Sequence, residues 1–303
     1  MTKLIKYLSL TILLLAVSKV YAETTNCTAI TSVPYKITAP GVYCLTGNLS
    51  LGRVTGRAIL INADDVVLDL NGWTLEGTGG SATETVGIKA YKRKNITIRN
   101  GTIRGFYYGI LLKDLSPYTT SQGHLVEDIH ADKNTFIGII IHGRGNTARR
   151  NQVLDTGGSA IRSNAYGIAL VGSGGRVLDN DITGTVATSD SEAIGLFIYL
   201  ADDAVMEGNR IADVSHDTGA AFGIFITTSS DVLARANSIS NTGIATFIYN
   251  CNDVLVRGNS ITRADVGVFY SPDDSGSTGK YMDNLTSNIA VPFVGGTAVG
   301  IND

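Results

Sequence analysis

Four side chains between residues 113 and 166 are the candidates for a catalytic cluster. Lys113, His142, Arg144 and Tyr166 combine cations with groups that exchange protons. Arg or Lys can neutralise a carboxylate, and Lys, His or Tyr can remove a neighbouring proton and protonate a leaving oxygen. These are the tasks of an eliminative cleavage of an acidic sugar, provided that the fold brings the four together. The alternative is that they are ordinary solvated side chains.

Aromatic residues recur in the second half at positions that could form an exposed strip. Sugars pack on aromatic faces, so such a strip would suit an extended polysaccharide. The alternative is that neighbouring insertions cover the rings, which then serve packing alone. The candidate substrate-binding residues are Phe197, Tyr199, Phe225, Phe247, Tyr249 and Phe269.

A repeat of 22 to 29 residues must position these side chains. A Gly-Ile-like pair begins each copy, at residues 87, 109, 138, 167, 195, 223, 245 and 267. A second marker, an Asn that ends a short strand, runs in register with it at 71, 100, 151, 180, 209, 237, 259 and 284, with Asp128 filling the gap. Both strands of each copy alternate apolar and other residues with period two, and helical periodicity is absent.

This repeat predicts an all-β fold, a right-handed parallel β-helix (a single-stranded solenoid) with an N-terminal cap. The Asn residues are expected to stack as an internal ladder. A β-sandwich is the main alternative, but it would not keep a fixed frame over eight copies. The predicted segments are a signal peptide at 1–22, the cap at 23–60, the β-helix at 61–290 and a C-terminal tail at 291–303.

The N-terminal segment predicts export. Residues 1–22 contain a charged start, an apolar run from Leu8 to Val17 and Ala22 before the expected cleavage site. Removing their three lysines changes the formal net charge from −3 to −6, which disfavours nucleic acid as a partner. In an oxidising compartment Cys27 and Cys44 are expected to pair, leaving Cys251 as a buried free thiol. We expect a secreted or periplasmic monomer without membrane insertion.

The GI-type strands followed by Asn-ended strands resemble the repeat of pectate-lyase-like proteins over roughly residues 60 to 290. The segment from Cys27 to Ser50 resembles the N-terminal cap of secreted members. The resemblance implies that a substrate would lie on the outer face of the sheet built by the GI-type strands. Taking the residue after each Gly as inward, this face carries the column Lys89, Leu111, Ile140, Ala169, Phe197, Phe225, Phe247 and Phe269.

The motifs of several enzymes of this architecture are missing. The paired acids of polygalacturonases are replaced by Thr85-Val86, Tyr107-Tyr108, Phe136-Ile137 and Ala193-Ile194, and the Asp-Pro-His-Asp signature of mannuronan epimerases is absent. The spacing of His and Cys predicts no metal site. Calcium is a candidate cofactor, with Glu84, Asp190, Glu192 and Asp217 as candidate ligands. The expected function is engagement of an acidic polysaccharide, with uronate lyase activity; the alternative is a non-catalytic glycan-binding or interaction scaffold.

Overall fold

The computed structural model describes residues 24–273 and 276–303, so the predicted signal peptide lies outside the described residues. Within these ranges the regular structure is entirely β, and no helix long and apolar enough to span a membrane is found. The strands, in chain order, are β1 (Thr28–Ile30), β2 (Tyr35–Ile37), β3 (Gly41–Leu45), β4 (Leu49–Ser50), β5 (Arg57–Ile61), β6 (Val66–Asp69), β7 (Thr74–Glu76), β8 (Val86–Tyr91), β9 (Ile96–Arg104), β10 (Tyr108–Lys113), β11 (Leu125–Asp132), β12 (Ile137–His142), β13 (Thr147–Arg149), β14 (Gln152–Leu154), β15 (Ala165–Val171), β16 (Arg176–Leu178), β17 (Asp181–Val186), β18 (Glu192–Tyr199), β19 (Val205–Glu207), β20 (Arg210–Ser215), β21 (Ala220–Thr227), β22 (Leu233–Arg235), β23 (Ser238–Tyr249), β24 (Val254–Arg257), β25 (Ser260–Tyr270), β26 (Gly279–Met282), β27 (Leu285–Val294) and β28 (Thr297–Ala298).

All of the strand pairings are parallel, and they build a β-solenoid with three sheets. The first sheet contains the GI-type strands and runs from β2 through β5, β8, β10, β12, β15, β18 and β21 to the later halves of β23 and β25. The second contains the strands before each Asn, such as β16, β19 and β22. The third contains the short strands after each Asn, such as β14, β17 and β20. The predicted parallel β-helix is confirmed, but each coil has three strands where two were expected.

The first and last strands join the same sheets. Strand β1 pairs with β3, β3 with β6, β2 with β5 and β4 with β7. The segment predicted as the cap therefore contributes strands to the stack. At the other end β28 pairs with β26. The boundaries at 23–60 and 291–303 stay predictions.

The core is a set of aliphatic columns inside the coils. One column on the first sheet holds Ile59, Ile88, Ile110, Ile139, Ile168, Leu196 and Ile224, which are completely buried. Burying one such side chain contributes about 1.5–3 kcal/mol relative to leaving it exposed. Since each coil covers the apolar interior of the next, stability comes from stacking rather than from any single coil.

The polar counterpart of these columns is a ladder of buried Asn side chains. After the first ladder residue, Asn151, each Oδ1 accepts from the backbone N–H and from the Nδ2 of the ladder Asn in the preceding coil, as Asn237 Oδ1 does from Asn209 at 3.0 and 2.9 Å. Each Nδ2 also donates to a backbone carbonyl, as Asn209 does to Val177 at 2.9 Å. The ladder runs through Asn151, Asn180, Asn209, Asn237, Asn259, Asn284 and Asn302.

The first three predicted ladder positions are wrong. Asn71, Asn100 and Asp128 have left-handed backbones, with φ of 50°, 59° and 53°, and Asp128 is exposed. They occupy the corner position that Arg150, Asp179 or Gly208 occupies before each ladder Asn in later coils. The position equivalent to the ladder Asn is Ile129 in that region, and its N–H donates to Asn151 Oδ1 at 3.1 Å.

The two predictions about cysteine are confirmed. Cys27 and Cys44 form a disulfide with a Cα–Cα distance of 5.8 Å, and Cys251 is free and buried. The Cys251 thiol donates to the Tyr249 carbonyl at 3.2 Å, and burial raises the pKa of this thiol.

Replacing a ladder Asn with Leu is expected to lower the free energy of unfolding by about 1–3 kcal/mol, because buried backbone and side-chain groups lose their partners. Asn209→Leu, for example, leaves the Val177 carbonyl and the Asn180 amide groups without their bonds. The control is Asn164→Leu, in an insertion. Chemical denaturation measures both, and equal losses would contradict the ladder.

Thiol titration of the unfolded, unreduced protein should count one reactive group, and three after reduction. Reduction should also lower the stability by about 3 kcal/mol, because the disulfide constrains the unfolded chain. Three reactive groups before reduction would show that the bridge is absent.

Candidate functional site

The outer face of the first sheet has the register that the sequence predicts. Lys89 pairs with Leu111, Leu111 with Ile140 and Ile140 with Ala169. In the later coils Phe197, Phe225, Phe247 and Phe269 are successive partners. A flanking column contains Tyr91, Lys113, Val171, Tyr199, Thr227 and Tyr249 along with His142.

The phenylalanine residues form a continuous half-buried column. The centroid distances between successive rings are 5.6, 5.0 and 5.4 Å. Tyr199 stacks on Phe197 at 6.1 Å, and Tyr249 lies 6.3 Å from the ring of Phe247. Because these rings are neither fully covered nor fully exposed, the column can support a ligand while it also contributes to packing.

This column continues toward the N-terminal coils through Tyr166, which the sequence analysis placed in the candidate catalytic cluster, and through Phe136 and Tyr108, which it did not select for a site. Tyr166 contacts Phe197 at 5.5 Å, Phe136 contacts Tyr166 at 5.7 Å, and Tyr108 contacts Phe136 at 5.3 Å. The signal that could have found Tyr108 is its position directly before the first Gly of its repeat, which Tyr166 shares, whereas Phe136 lies two residues before Gly138. A Cβ at Gly167 would lie 2.5 Å from the interior Ile182 side chain, so the glycine faces inward and Tyr166 before it faces outward.

The N-terminal end of this face is a groove with a volume of about 390 Å³. Lys89, Lys113 and His142 line it, together with Tyr107, Tyr108, Glu84 and the apolar residues Val86, Leu111, Ile140 and Ile161. The structure therefore brings together two of the four predicted catalytic residues, Lys113 and His142. It adds Lys89, which lies in the predicted outward column.

Arg144 and Tyr166 do not line this groove. Arg144 is exposed beyond Gly143, whose φ of 115° takes the chain around the corner, and it bridges to Gln122. Tyr166 lies among the aromatic rings farther along the face. Burial, with a further contribution from Glu192, raises the pKa of Tyr166 to about 12.

Insertions before the GI-type strands form one side of the groove. The backbone N–H of Ala160 donates to the Ser81 carbonyl at 2.9 Å, and that of Thr188 to the Ser163 carbonyl at 2.9 Å. The insertions at 78–85, 156–164 and 187–191 therefore lie against one another, although they come from different coils. They border the strands at the ends where Tyr108 and Tyr166 are located.

The loop after β10 borders the other side. Both carboxylate oxygens of the buried Asp114 accept backbone N–H groups at 2.9 Å, from Leu115, Thr120 and Ser121. Burial alone would raise the pKa of Asp114, but these donors and the charge of Lys92 lower it below its usual value. The loop places Tyr118 edge-on to the His142 ring, with 5.4 Å between the centroids.

The electrostatics of the groove favour an anion and proton exchange. Burial lowers the pKa of Lys89, and the positive charges of Arg57 and Lys113 lower it further. Burial also lowers the pKa of His142, which favours the neutral ring. His142 Nδ1 lies 3.1 Å from the Asp114 carbonyl oxygen, which can only accept, so we assign the proton to Nδ1. Nε2 is then the nitrogen that can accept a proton.

The candidate calcium ligands are not brought together. No group of three or more His, Cys, Asp or Glu side chains suited to a metal ion occurs in residues 24–273 and 276–303. Glu84 lines the groove, whereas Asp217 accepts from the Ser189 backbone and Glu192 is half-buried near Tyr166. Burial raises the pKa of Glu192.

Asp114→Asn should loosen the 115–121 loop, because an amide cannot accept all three backbone bonds. The depressed pKa means that the carboxylate stabilises the loop above pH about 3.9, the free aspartate value, and that this contribution is lost as the pH falls through the lower folded pKa. The protection factors for hydrogen exchange at 115–121, measured relative to the unfolded chain at the same pH, should therefore fall at acidic pH in the parent and be low at all pH values in the variant. Asp190→Asn, at an exposed residue, is the control; unchanged exchange in Asp114→Asn would contradict this role.

The fold defines a parallel β-helix protein, as the repeat predicts. The chain belongs to the NosD family, whose model is described as "Periplasmic copper-binding protein (NosD)" and matches residues 53–222 and 133–288. The family description confirms the predicted secreted or periplasmic location. A search of curated proteins found no match.

Solved structures with this fold include three informative examples. Tailspike protein 2 of Escherichia coli O157:H7 bacteriophage CAB120 superposes with a TM-score of 0.63 and 16% identity over 84% of this chain, which spans only 38% of that tailspike. The A-module of the Azotobacter vinelandii mannuronan C-5 epimerase AlgE6 gives 0.59 and 13% identity, with 92% and 91% of the two chains covered. Pectate lyase Pel9A gives 0.52 and 13%, with 84% and 70% covered. At these identities the likeness establishes the fold alone.

The described residues do not fit the copper centre that the family description implies. Copper favours Cys, His and Met ligands. Here the Cys251 thiol is buried against backbone carbonyls and Met206 is completely buried. His124 Nδ1 accepts the Ile96 N–H at 3.2 Å, and His142 Nδ1 is bonded to Asp114. These donors are used individually and do not converge.

Proposed function

We propose that the protein binds an acidic polysaccharide along the outer face of the first sheet and cleaves it by β-elimination in the groove at the N-terminal end. The observation that carries this proposal is the presence of Lys89, Lys113 and His142 in one groove that leads into the aromatic column. The cations suit the carboxylates of uronate residues, and the rings suit the apolar faces of the sugars.

Electrostatic attraction accounts for the choice of an acidic substrate. The chain as a whole has a formal net charge of −3, yet Lys89 and Lys113 line the groove and the exposed Arg57 acts on Lys89. Glu84 is the acid in the lining. A positive groove on an acidic protein selects polyanions locally, and their binding should weaken as salt screens the charges.

The elimination assigns one task to each polar group. Lys113 neutralises the uronate carboxylate, which acidifies the proton on the adjacent C5. His142 Nε2 removes this proton, the C4=C5 double bond forms, and the C4–O4 bond breaks. Lys89 gives a proton to the leaving O4, since a lowered pKa makes its ammonium a stronger acid. Arg144 and Tyr166 have no part in this scheme because they do not line the groove.

Two sets of variants should separate chemistry from binding. His142→Ala should reduce turnover by about 100-fold or more while polymer binding is largely kept, because only proton removal is lost. Phe225→Ala and Phe247→Ala should weaken binding with kcat nearly unchanged, as expected when uniform binding is lost. Turnover on polygalacturonate and alginate is followed by the ultraviolet absorbance of the unsaturated product, and binding by calorimetry at low and high salt.

His216→Ala and Lys280→Ala, outside this face, are the matched controls. Binding of the polymers without unsaturated product would eliminate the lyase chemistry and leave a non-catalytic glycan-binding protein, which is the second candidate. Absence of both binding and product would mean that the face is structural.

A further inference from the structure

A second concave site lies on another side of the solenoid, at the corner between the second and third sheets. It has a volume of about 540 Å³ and contains Trp73, the sole tryptophan of the chain. Trp73 is 36% exposed, although large aromatic side chains are normally well buried. The groove described above is formed by the first sheet and shares no lining residue with this corner.

The shape of the corner follows from the chain length between paired residues. Asp69 pairs with Arg99, and Thr74 pairs with Thr102. The corner at 69–74 is therefore two residues longer than the corner at 99–102 in the next coil. The extra residues form a turn in which the Trp73 N–H donates to the Leu70 carbonyl at 2.8 Å. This turn carries Trp73 at the edge of the cavity.

A glycine keeps the next coil close beneath this turn. A Cβ at Gly101 would lie 2.4 Å from the Leu70 Cβ and 2.7 Å from the Trp73 carbonyl oxygen, so no other residue fits without displacing the turn. Gly101 and Gly72 both line the cavity. Trp73 therefore lies beside two glycines, and the absence of side chains there leaves room for a ring-shaped ligand against the indole.

The remaining lining is polar and uncharged apart from one acid. Thr102, His130 and Gln152 are consecutive partners on the third sheet and form one wall. His130 Nε2 is buried and, among the described residues, has no hydrogen-bond partner. A buried polar nitrogen without a partner is costly, so a rotation of the ring that brings Nε2 to a ligand hydroxyl in the cavity would be favourable. Gln152 is exposed and offers both donors and an acceptor.

The charge of the lining selects against uronates. Asp128 is its acid, and two bonds of 2.9 and 2.8 Å tie its carboxylate to Arg150. No Lys or Arg is among the residues that line this cavity in the described chain. A sugar carboxylate would find no unpaired cation in this lining, because Arg150 is already bonded to Asp128, whereas hydroxyl groups can bond the amide, imidazole and threonine side chains.

We infer that this corner is a binding site for a neutral pyranose, which stacks on the Trp73 indole and directs hydroxyl groups to His130 and Gln152. A flat C–H face of the sugar covers the apolar ring, and a few polar groups fix its orientation. The protein would then hold neutral glycan at this corner independently of any acidic polymer on the first sheet.

The sole tryptophan gives a direct readout. The full chain is titrated with cellohexaose, maltohexaose and chitohexaose, and with hexagalacturonate, each up to about 10 mM, a weak-affinity limit. At least one neutral hexasaccharide should shift the Trp73 emission with saturation, and hexagalacturonate should leave it unchanged. His130→Ala and Gln152→Ala should each weaken the titration by about tenfold, the effect of one lost hydrogen bond. Calorimetry with Trp73→Ala should show the loss of binding.

Lys280→Ala, at an exposed residue that lines neither this corner nor the first-sheet groove, is the control that should titrate like the parent. No emission change with any of the three neutral sugars would overturn the inference. So would equal affinity of the parent, His130→Ala and Gln152→Ala, or an equal response to hexagalacturonate. Because neither the readout nor the variants involve the first-sheet groove, these results do not depend on the proposed lyase.

Discussion

The structure depends on one constraint, that each coil must satisfy the hydrogen bonds of the coils on either side. The backbone does this in the sheets, but at the corner beside the core the chain turns and its buried N–H groups need another acceptor. The ladder Asn provides it, because its amide reaches both the neighbouring Asn and a backbone carbonyl. A left-handed residue just before the Asn makes the turn that directs the amide inward.

This constraint leaves the outward side chains free to vary. Once the register is fixed, paired residues in successive coils form a straight row of outward side chains in the first and third sheets. Neighbouring side chains in a row are separated by the distance between adjacent strands, about 4.8 Å. On the first sheet the outward side chains include Lys89 on β8 and Lys113 on β10, and they include a phenylalanine on each of the strands β18, β21, β23 and β25. Insertions occur between sheets, where they lengthen a coil without altering its partners, and neighbouring insertions hydrogen-bond to one another along the groove. In such a molecule the outward rows of side chains and the insertions between sheets therefore determine where a functional site can form.

The sequence predicted the first sheet and its outward row, since alternation of Ile88, Ile110 and Ile139 with other residues is a strong period-two signal. It did not predict the third sheet, because its separate strands are short, with three residues in β14 and six in β17 and β20, and follow the Asn without a break. In the first coils the predicted ladder was displaced by one residue, because an Asn suits both the left-handed corner and the inward position that follows it. The sequence alone does not distinguish Asn100, at the corner, from Asn180, whose side chain is in the ladder. Tyr108 was missed because the inward Gly109 interrupts the alternation. The carboxylate of Asp114 could not be assigned, since its partners are backbone groups of its own loop.

The ladder also bears on chemical ageing. Asparagine deamidates when the backbone nitrogen of the following residue attacks the side-chain amide, a route that is easiest where the next residue is small and the chain is mobile. Asn237 and Asn259 are each followed by serine. In the solenoid the Ser238 and Ser260 N–H groups donate to the carbonyls of Asn209 and Asn237, at 2.8 and 2.9 Å. The hydrogen bonds that align the coils therefore hinder the cyclisation of these residues to a succinimide. The ladder asparagines should deamidate more slowly than exposed asparagines in a protein that works outside the cytoplasm.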